Sequence, residues 1–175
     1  MTNQRNSFSA RLAQLRAAYG RPDAPLGAYA TLIGAFHALL AAFLLALRWR
    51  RRPLPERVSA DDLLLVGIAT FKLSRLIARD IVTSVLRAPF TRFHEPAGNG
   101  EFNEQPRGRG LRRALGELLT CPFCLGQWVA AALLYGLVLA PRFTRLICSL
   151  FTALAIADVA QLGYAALQRR SQGSD

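Results

Sequence analysis

Long uncharged stretches separated by arginine-rich segments are the main pattern along the chain. Residues 26–48 begin with 22 residues that carry no charge, and about 20 helical residues cross a hydrocarbon core of ~30 Å. Two further apolar stretches cover residues 123–140 and 143–167, with Pro141 and Arg142 as a tight turn between them. The pattern therefore predicts three clear transmembrane helices, and the last two of them are antiparallel.

The segment 61–87 predicts a fourth helix of weaker membrane character. Lys72, Arg75 and Arg79 follow its apolar half and fall within a stripe of about 60° on one helical face, with Asp80 beside them. Each such cation costs roughly 2.5–3.5 kcal/mol at the centre of a span. The helix is therefore a marginal span, which either crosses the membrane against its neighbours or lies half-inserted at the interface.

The remaining segments are polar. Residues 1–25 form a basic tail in which apolar side chains between residues 7 and 19 predict an amphipathic surface helix, with a frayed tail as the alternative. Residues 88–120 predict a loop, mobile in its Pro- and Gly-rich part and ending in a short amphipathic helix. Residues 168–175 form a polar tail. The predicted fold class is an all-α polytopic membrane bundle, with three clear spans, one marginal span and a basic amphipathic N-terminal helix.

The charge of the chain has two interpretations. Hydrophobic residues make up 52% of the sequence, and the formal net charge is +11. A soluble protein with this charge would suggest a nucleic-acid partner. Here the arginines lie mostly at the ends of apolar stretches, where they act as topology signals and contact anionic lipid headgroups. We therefore expect a bilayer with anionic lipids as the partner, in preference to nucleic acid.

Lys and Arg counts orient the helices, because cytoplasmic loops retain positive charge. If the second helix spans, the N-terminus, residues 82–122 and the C-terminus share one side with 12 basic residues, against 7 on the other side. If it does not span, the corresponding numbers are 16 and 6. Both arrangements predict a multi-pass protein of a bacterial inner membrane, with the 82–122 loop and the C-terminus in the cytoplasm. The side of the N-terminus stays open.

The pair Cys121 and Cys124 opens the third apolar stretch with the spacing Cys-x-x-Cys. This spacing is used for thiol–disulfide exchange, and it also supplies half of a zinc site, which His94, an acidic residue or a second subunit would complete. The bland alternative is that the two side chains pack near the interface. Cytoplasmic thiols stay reduced, so we expect no permanent disulfide here.

Asp158 is a carboxylate inside a predicted span, which makes it a functional candidate. The turn at residues 141–142 places Asp158 at the depth of Cys124 and Gln127. The nearest cations are those of the second helix. We therefore hypothesise a polar cluster next to the cysteine pair, in which Arg75 and Arg79 pair with Asp158. The structural alternative is a buried ion pair that fixes helix packing.

Three stretches carry a resemblance to a known family: residues 69–80 (ATFKLSRLIARD), 86–90 (LRAPF) and 116–128 (GELLTCPFCLGQW). Over residues 60–167, the chain resembles the bacterial domain-of-unknown-function 1360 family of small integral membrane proteins. Some members are labelled as sporulation-associated, but the family has no established activity. The resemblance implies a membrane architecture and a set of candidate positions, namely Arg75, Asp80, Arg87, Pro89, Cys121, Cys124 and Trp128.

Two functions are compatible with the sequence. The first is a non-enzymatic membrane adaptor or assembly component, whose basic cytoplasmic loop contacts lipid or another protein, or which forms a homo-oligomer. The second is a membrane thiol protein in which Cys121 and Cys124 bind a metal such as zinc or exchange disulfides. The sequence has no serine triad, phosphate-binding loop or paired catalytic carboxylates, and it reveals no substrate.

Overall fold

The structure is a computed structural model that describes residues 10, 11, 14, 24–51, 53–98 and 100–172. The amphipathic helix expected between residues 7 and 19 lies almost wholly outside these residues. The described part is predominantly helical and contains one small antiparallel sheet. Its elements are, in chain order, α1 (Leu26–Trp49), α2 (Ala60–Arg79), α3 (Ser84–Arg87), β1 (Thr91–Gly98), β2 (Glu101–Pro106), α4 (Gly110–Thr120), α5 (Pro122–Leu139) and α6 (Pro141–Gln172).

Three of the described helices, α1, α5 and α6, are long and apolar enough to cross a membrane. They correspond to the three apolar stretches of the sequence. Helix α2 does not meet the same measure of length and composition, because it carries too many charges for its apolar content. Its start has a clear cause: the Ser59 side chain accepts a hydrogen bond from the Asp62 backbone N–H at 3.1 Å, and carboxylates in the first turn suit the helix dipole.

Helix α2 runs parallel to α6 and antiparallel to α5. Three contacts between α2 and α6 have similar sequence separations: Asp62 with Arg145, the Leu65 carbonyl with Thr152, and Lys72 with Asp158. On the α5 side, Gly126 near the start of that helix faces Thr70 and Ser74 in the second half of α2. The helices share a core made of Val66, Ala69, Ala78, Leu125, Val129, Leu133 and Cys148. Helix α2 therefore lies along most of α5.

Helix α1 lies parallel to α5 and contacts it through aromatic side chains. Phe36 meets Trp128 edge-to-face at 5.3 Å, and Phe43 stacks on Tyr135 at 4.2 Å between ring centroids. Both pairs have the same sequence offset, which fixes the direction of the two helices. The four long helices therefore alternate in direction. The end that carries α4, the sheet and Cys121 is called the hairpin end below, and the opposite end, which carries Arg145, the far end.

The structure differs from the sequence expectation between α3 and α4. Most of the segment expected to be a mobile loop forms an antiparallel β-hairpin, in which Thr91 pairs with Pro106 and Gly98 with Glu101. Gly98 and Gly100 adopt positive φ angles of 81° and 78° at the turn, where glycine carries no steric cost. Phe93 and Phe102 contact each other across the strands. The hairpin packs on α4 and on the end of α2.

Candidate functional site

The cysteine pair lies at the N-terminus of α5. Cys121 is the residue that caps the helix, and its Sγ accepts a hydrogen bond from the Cys124 N–H at 3.2 Å. Pro122 occupies the first helical turn, where its missing N–H leaves no donor unsatisfied. The two sulfurs are joined in a disulfide. This differs from the expectation of reduced thiols, because the tight first turn of the helix brings the two side chains together.

Helix N-termini favour anions, and a thiolate there is stabilised by the helix dipole and by backbone N–H groups. In the reduced state, the Cys121 sulfur would keep the N–H of Cys124 as a donor. Cys124 is exposed on the surface of the helix, whereas Cys121 is half-buried. The two cysteines therefore differ in access, and Cys124 is the more exposed of the two. The third cysteine, Cys148, is free and fully buried in the core.

The zinc hypothesis needs further ligands near the pair. Among the residues that the structure describes, no group of three or more His, Cys, Asp or Glu side chains is close enough to hold a metal ion. His94, the candidate ligand of the sequence analysis, lies exposed in β1.

A cavity of about 670 Å³ opens between α2, the start of α5 and the hairpin. Cys121 lies on its wall, and Cys124 does not. The cavity also borders Thr70, whose hydroxyl is buried and has no hydrogen-bond partner. An unsatisfied buried hydroxyl costs about 1–3 kcal/mol, which makes it a candidate for contact with a ligand. The cations of α2 complete the polar side of the cavity, with Arg75 and Arg79 both on its wall.

These two arginines bind the hairpin. The Arg75 guanidinium donates two hydrogen bonds to the carboxylate of Glu101, at 2.7 and 2.8 Å. Arg79 donates to the Asn103 side-chain oxygen, and the Asn103 amide in turn donates to Glu95 at 3.0 Å. Glu101 therefore neutralises Arg75, whereas Arg79 has the neutral amide oxygen of Asn103 as its partner.

Asp158 is paired differently from the hypothesis. Its carboxylate accepts a hydrogen bond from the Lys72 ammonium at 2.5 Å, and neither Arg75 nor Arg79 contacts it. The reason is geometric: Lys72 lies one turn deeper in the bundle than Arg75, level with Asp158, while the two arginines reach outward to the hairpin. The expected pairing of Arg75 and Arg79 with Asp158 is therefore wrong, because the partner of Asp158 is Lys72.

The other members of the hypothesised cluster are divided between two places. Asp80 lines a groove of about 550 Å³ together with Lys72, Arg75 and Asp158, and its carboxylate accepts a hydrogen bond from the Val82 N–H at 2.9 Å. Gln127 is exposed and lies instead between α1 and α5, beside His37 and Trp128. The structure therefore brings four of the six candidates to one groove and separates Gln127 from them.

Replacing Lys72 by Met is expected to lower the free energy of unfolding by about 1 kcal/mol, because Asp158 loses its partner while its side chain is still 43% exposed. The double variant Lys72→Met, Asp158→Leu should recover this loss. Thermal unfolding in detergent measures both, with Arg142→Met at the exposed far end as the charge-matched control. If the double variant lost as much unfolding free energy as the two single variants together, Lys72 and Asp158 would not be a coupled pair.

A second ion pair joins Arg87, which the resemblance marked as a candidate position, to Glu104, which the sequence analysis did not single out, and it is almost completely buried. The Arg87 side chain is 0% exposed and that of Glu104 is 6% exposed. The Arg87 guanidinium donates two hydrogen bonds to the Glu104 carboxylate, at 2.9 and 3.1 Å, and further bonds to the carbonyl oxygens of Ile77 and Asp80, at 2.7 and 3.0 Å. Thr91 donates to the same carboxylate at 2.6 Å. Arg87 therefore joins the end of α2 to the hairpin.

The environment of Glu104 has opposing effects on its pKa. Burial raises the pKa, but the hydrogen bonds from Arg87 and Thr91 and the charge of Arg87 outweigh it, so that the pKa lies below its ordinary value of 4.5. Glu104 therefore stays ionised and paired at neutral pH. The resemblance of the sequence had marked Arg87 as a candidate position, while the chain pattern gave no signal for its acidic partner.

Comparison with known proteins places these elements in a family context. The family model described as "Protein of unknown function (DUF1360)" matches residues 65–164, more than half of the chain. Sporulation protein YjcA of Bacillus subtilis (strain 168) is 29% identical over 105 residues, which cover 58% of this chain and 89% of that protein. No solved structure matches the chain significantly. The matched region contains the hairpin, the cysteine pair and most of α2 and α6.

Proposed function

The chain belongs to the DUF1360 family of proteins of unknown function, and because that family supplies no reaction, we propose a function from the geometry: a membrane protein whose Cys121–Cys124 pair cycles between dithiol and disulfide. One observation carries this proposal. The pair lies at a helix N-terminus with its sulfurs in bonding contact, one exposed and the other on the wall of a cavity. Such an arrangement activates a sulfur and leaves it accessible.

The proposed membrane placement has four spans. Helix α2 falls short of a span by composition, but it lies beside α5 and α6 over its whole length, and Lys72 and Asp158 are paired with each other. A paired charge between helices is the arrangement tolerated inside a bilayer. With four spans, the hairpin end carries the larger share of basic residues, 12 against 7. We therefore assign the hairpin end, the cysteine pair and the C-terminus to the cytoplasm of a bacterial inner membrane.

The proposed exchange has two steps. A partner thiolate attacks the exposed Cys124 sulfur, the bond between Cys121 and Cys124 breaks, and Cys121 leaves as a thiolate stabilised by the start of α5. A second thiolate of the partner then attacks the partner's own sulfur in the mixed disulfide and releases Cys124. The partner gains a disulfide, and the cysteine pair gains two electrons and, from the thiols, two protons. The reverse sequence reduces a partner disulfide.

Redox titration tests this function. The detergent-solubilised chain, titrated with glutathione buffers and trapped with a maleimide, is expected to show a reversible two-electron midpoint above about −300 mV, since structural disulfides lie below that value. The Cys121→Ser and Cys124→Ser variants should lose the transition. Cys148→Ser should keep it, because Cys148 is buried away from the pair. A midpoint below about −300 mV would mark a structural disulfide and contradict the proposal.

A second candidate function, an adaptor or assembly component, is supported by the hairpin surface. Seven of the eight residues of β1 are exposed, and basic side chains surround the hairpin end at Arg92, Arg109 and Arg112. An exposed strand with unpaired backbone groups can bind a partner strand. The Cys121→Ser, Cys124→Ser double variant separates the two functions. If the chain is an adaptor, the variant still binds its partner. If the chain is a thiol protein, the variant loses its redox function.

A further inference from the structure

We propose that the cavity beside Cys121 binds the head group of a membrane quinone, and that this quinone accepts the electrons of the cysteine pair. The inference rests on the proposed thiol function and adds the chemical class of the second substrate. It starts from the juxtaposition of a redox-capable sulfur, an unpartnered buried hydroxyl and a cavity lined by the exposed side chains of Phe71 and Phe123.

The cavity has the size and the opening that a quinone requires. Its volume of about 670 Å³ lies within the range of about 300–1,000 Å³ that holds small-molecule ligands. Phe71 and Phe123 stand at its rim and are 57% and 93% exposed, on the surface that faces lipid in the proposed placement. Gly67 leaves open space beside them, because no atom lies within 4 Å of the position of a Cβ. A ring carrying an apolar chain can therefore enter sideways from the bilayer.

The polar groups of the cavity match a neutral acceptor. Quinone carbonyl oxygens accept hydrogen bonds, and the cavity offers the Thr70 hydroxyl, which has no partner, as a donor. Arg75 also lies on the wall, but Glu101 neutralises it with two hydrogen bonds. A site built for a phosphate would leave its arginines free of carboxylates. Only the pairing of Arg75 therefore argues against an anionic lipid headgroup, because Arg79, the other arginine on the wall, donates to the neutral Asn103 side chain.

The two cysteines have separate access in this arrangement. Cys121 lines the cavity, and the exposed Cys124 faces a protein partner. In the net step, the two S–H bonds of the reduced pair break and one S–S bond forms. The two electrons and the two protons pass to the quinone, whose two carbonyl oxygens become the hydroxyls of the hydroquinone. The balance needs no other oxidant. The pair is then ready to take electrons from the next protein thiols.

The test uses the full chain in lipid nanodiscs, reduced beforehand and mixed with decylubiquinone. Quinone absorbance is expected to fall as one hydroquinone forms for each cysteine pair oxidised, and the Cys121→Ser, Cys124→Ser variant should show no reaction. Gly67→Leu places a side chain into the open space of the cavity and should weaken the apparent quinone affinity about tenfold or more. Gly34→Leu is the matched control, since Gly34 also faces open space but lies in α1, away from the cavity.

The outcomes separate this inference from the function on which it rests. A reversible glutathione titration without quinone reduction, or with equal quinone affinity in Gly67→Leu and the parent, overturns the quinone site and leaves the thiol function. Phosphatidylglycerol that binds the parent but not Gly67→Leu, with no quinone turnover, assigns the cavity to a lipid and also overturns the inference. Failure of the glutathione titration itself contradicts the thiol function.

Discussion

The Arg87→Met variant is expected to lose about 3–5 kcal/mol of unfolding free energy, because it leaves the carboxylate of Glu104 buried without its cation. The Arg87 side chain is fully buried and Glu104 nearly so. The substitution also removes the donors that serve the carbonyl oxygens of Ile77 and Asp80, so the end of α2 loses one of its links to the hairpin. Thermal unfolding in detergent, followed by circular dichroism, measures the loss.

Two further variants identify the cause of that loss. Arg92→Met removes the same charge from the exposed strand β1 and should change the unfolding free energy by less than about 0.5 kcal/mol. The double variant Arg87→Met, Glu104→Leu removes both charges and should be more stable than Arg87→Met alone, because an apolar pair carries no unpaired charge. An Arg87→Met protein that melts together with the parent would contradict the buried pair.

The same pair gives the stability a dependence on acid. The pKa of Glu104 is lowered in the folded protein from its ordinary value of 4.5, so the folded state holds its proton less tightly than the unfolded state. The stabilisation is fully present above about pH 4.5 and is lost as the pH falls through the lower folded pKa. The Glu104→Gln variant should lack this part of the acid dependence, which unfolding curves at several pH values below 5 can measure.

The sequence predicted the three apolar helices, because hydropathy decides them, although α6 (Pro141–Gln172) is longer than the stretch expected over residues 143–167. The apolar stretch expected over residues 26–48 forms α1, and the stretch expected over residues 123–140 forms α5, each within one residue at either end. The depth of Asp158 was expected from counting back across a turn at residues 141–142, but the structure begins α6 at Pro141 and leaves Ala140 alone between α5 and α6. The partner of Asp158 did not follow from the sequence, because the rotation of a helix about its axis depends on packing. Lys72 faces Asp158 only because α2 sits between α5 and α6.

The hairpin and the buried ion pair could not be predicted from the pattern of the chain. Strand β1 has almost no buried residue, so it lacks the alternation of apolar and polar residues that marks a strand. β1 pairs with β2, and what orders this hairpin is the pairing of two acids of β2 with distant arginines: Glu101 with Arg75, and Glu104 with Arg87. These acids lie in a segment whose Pro, Gly and Asn content is typical of a loop. Only the folded chain shows that the arginines and the acids of this end belong together.

The pairing of arginines with acids, which only the fold shows, also affects the choice between the two candidate functions. In the sequence, the arginines of the second helix are a stripe free to meet lipid, an acid or a ligand. In the fold, Arg75 and Arg87 are bound to carboxylates, while Arg79 donates to the neutral Asn103 side chain. The groups on the cavity wall with chemistry still to perform are therefore Cys121, the unpartnered Thr70 hydroxyl and the Arg79 guanidinium. These groups favour the thiol function of the cysteine pair over an adaptor function of the basic surface.

The Gly116→Ala variant is expected to lose about 1–3 kcal/mol of unfolding free energy, although alanine is the better helix former by about 1 kcal/mol. Gly116 is buried in α4 where that helix packs on the hairpin. A Cβ there would lie 2.6 Å from the Phe90 carbonyl oxygen and 3.1 Å from the Pro106 side chain. The first of these atoms belongs to the backbone and the second to a rigid ring, so neither can move aside without shifting the hairpin.

The matched control for this substitution is Gly34→Ala in α1, where no atom lies within 4 Å of the added Cβ. That variant should be unchanged or more stable, by up to about 1 kcal/mol, because only the helix propensity changes. The two substitutions have the same chemistry and opposite expected signs, and thermal unfolding in one detergent compares them directly. Because the start of α5 follows α4, Gly116→Ala should also make the disulfide of Cys121 and Cys124 react faster with a reductant. Equal melting temperatures for the two variants would show that α4 does not press on the hairpin, and the hairpin would then no longer fix the wall of the cavity.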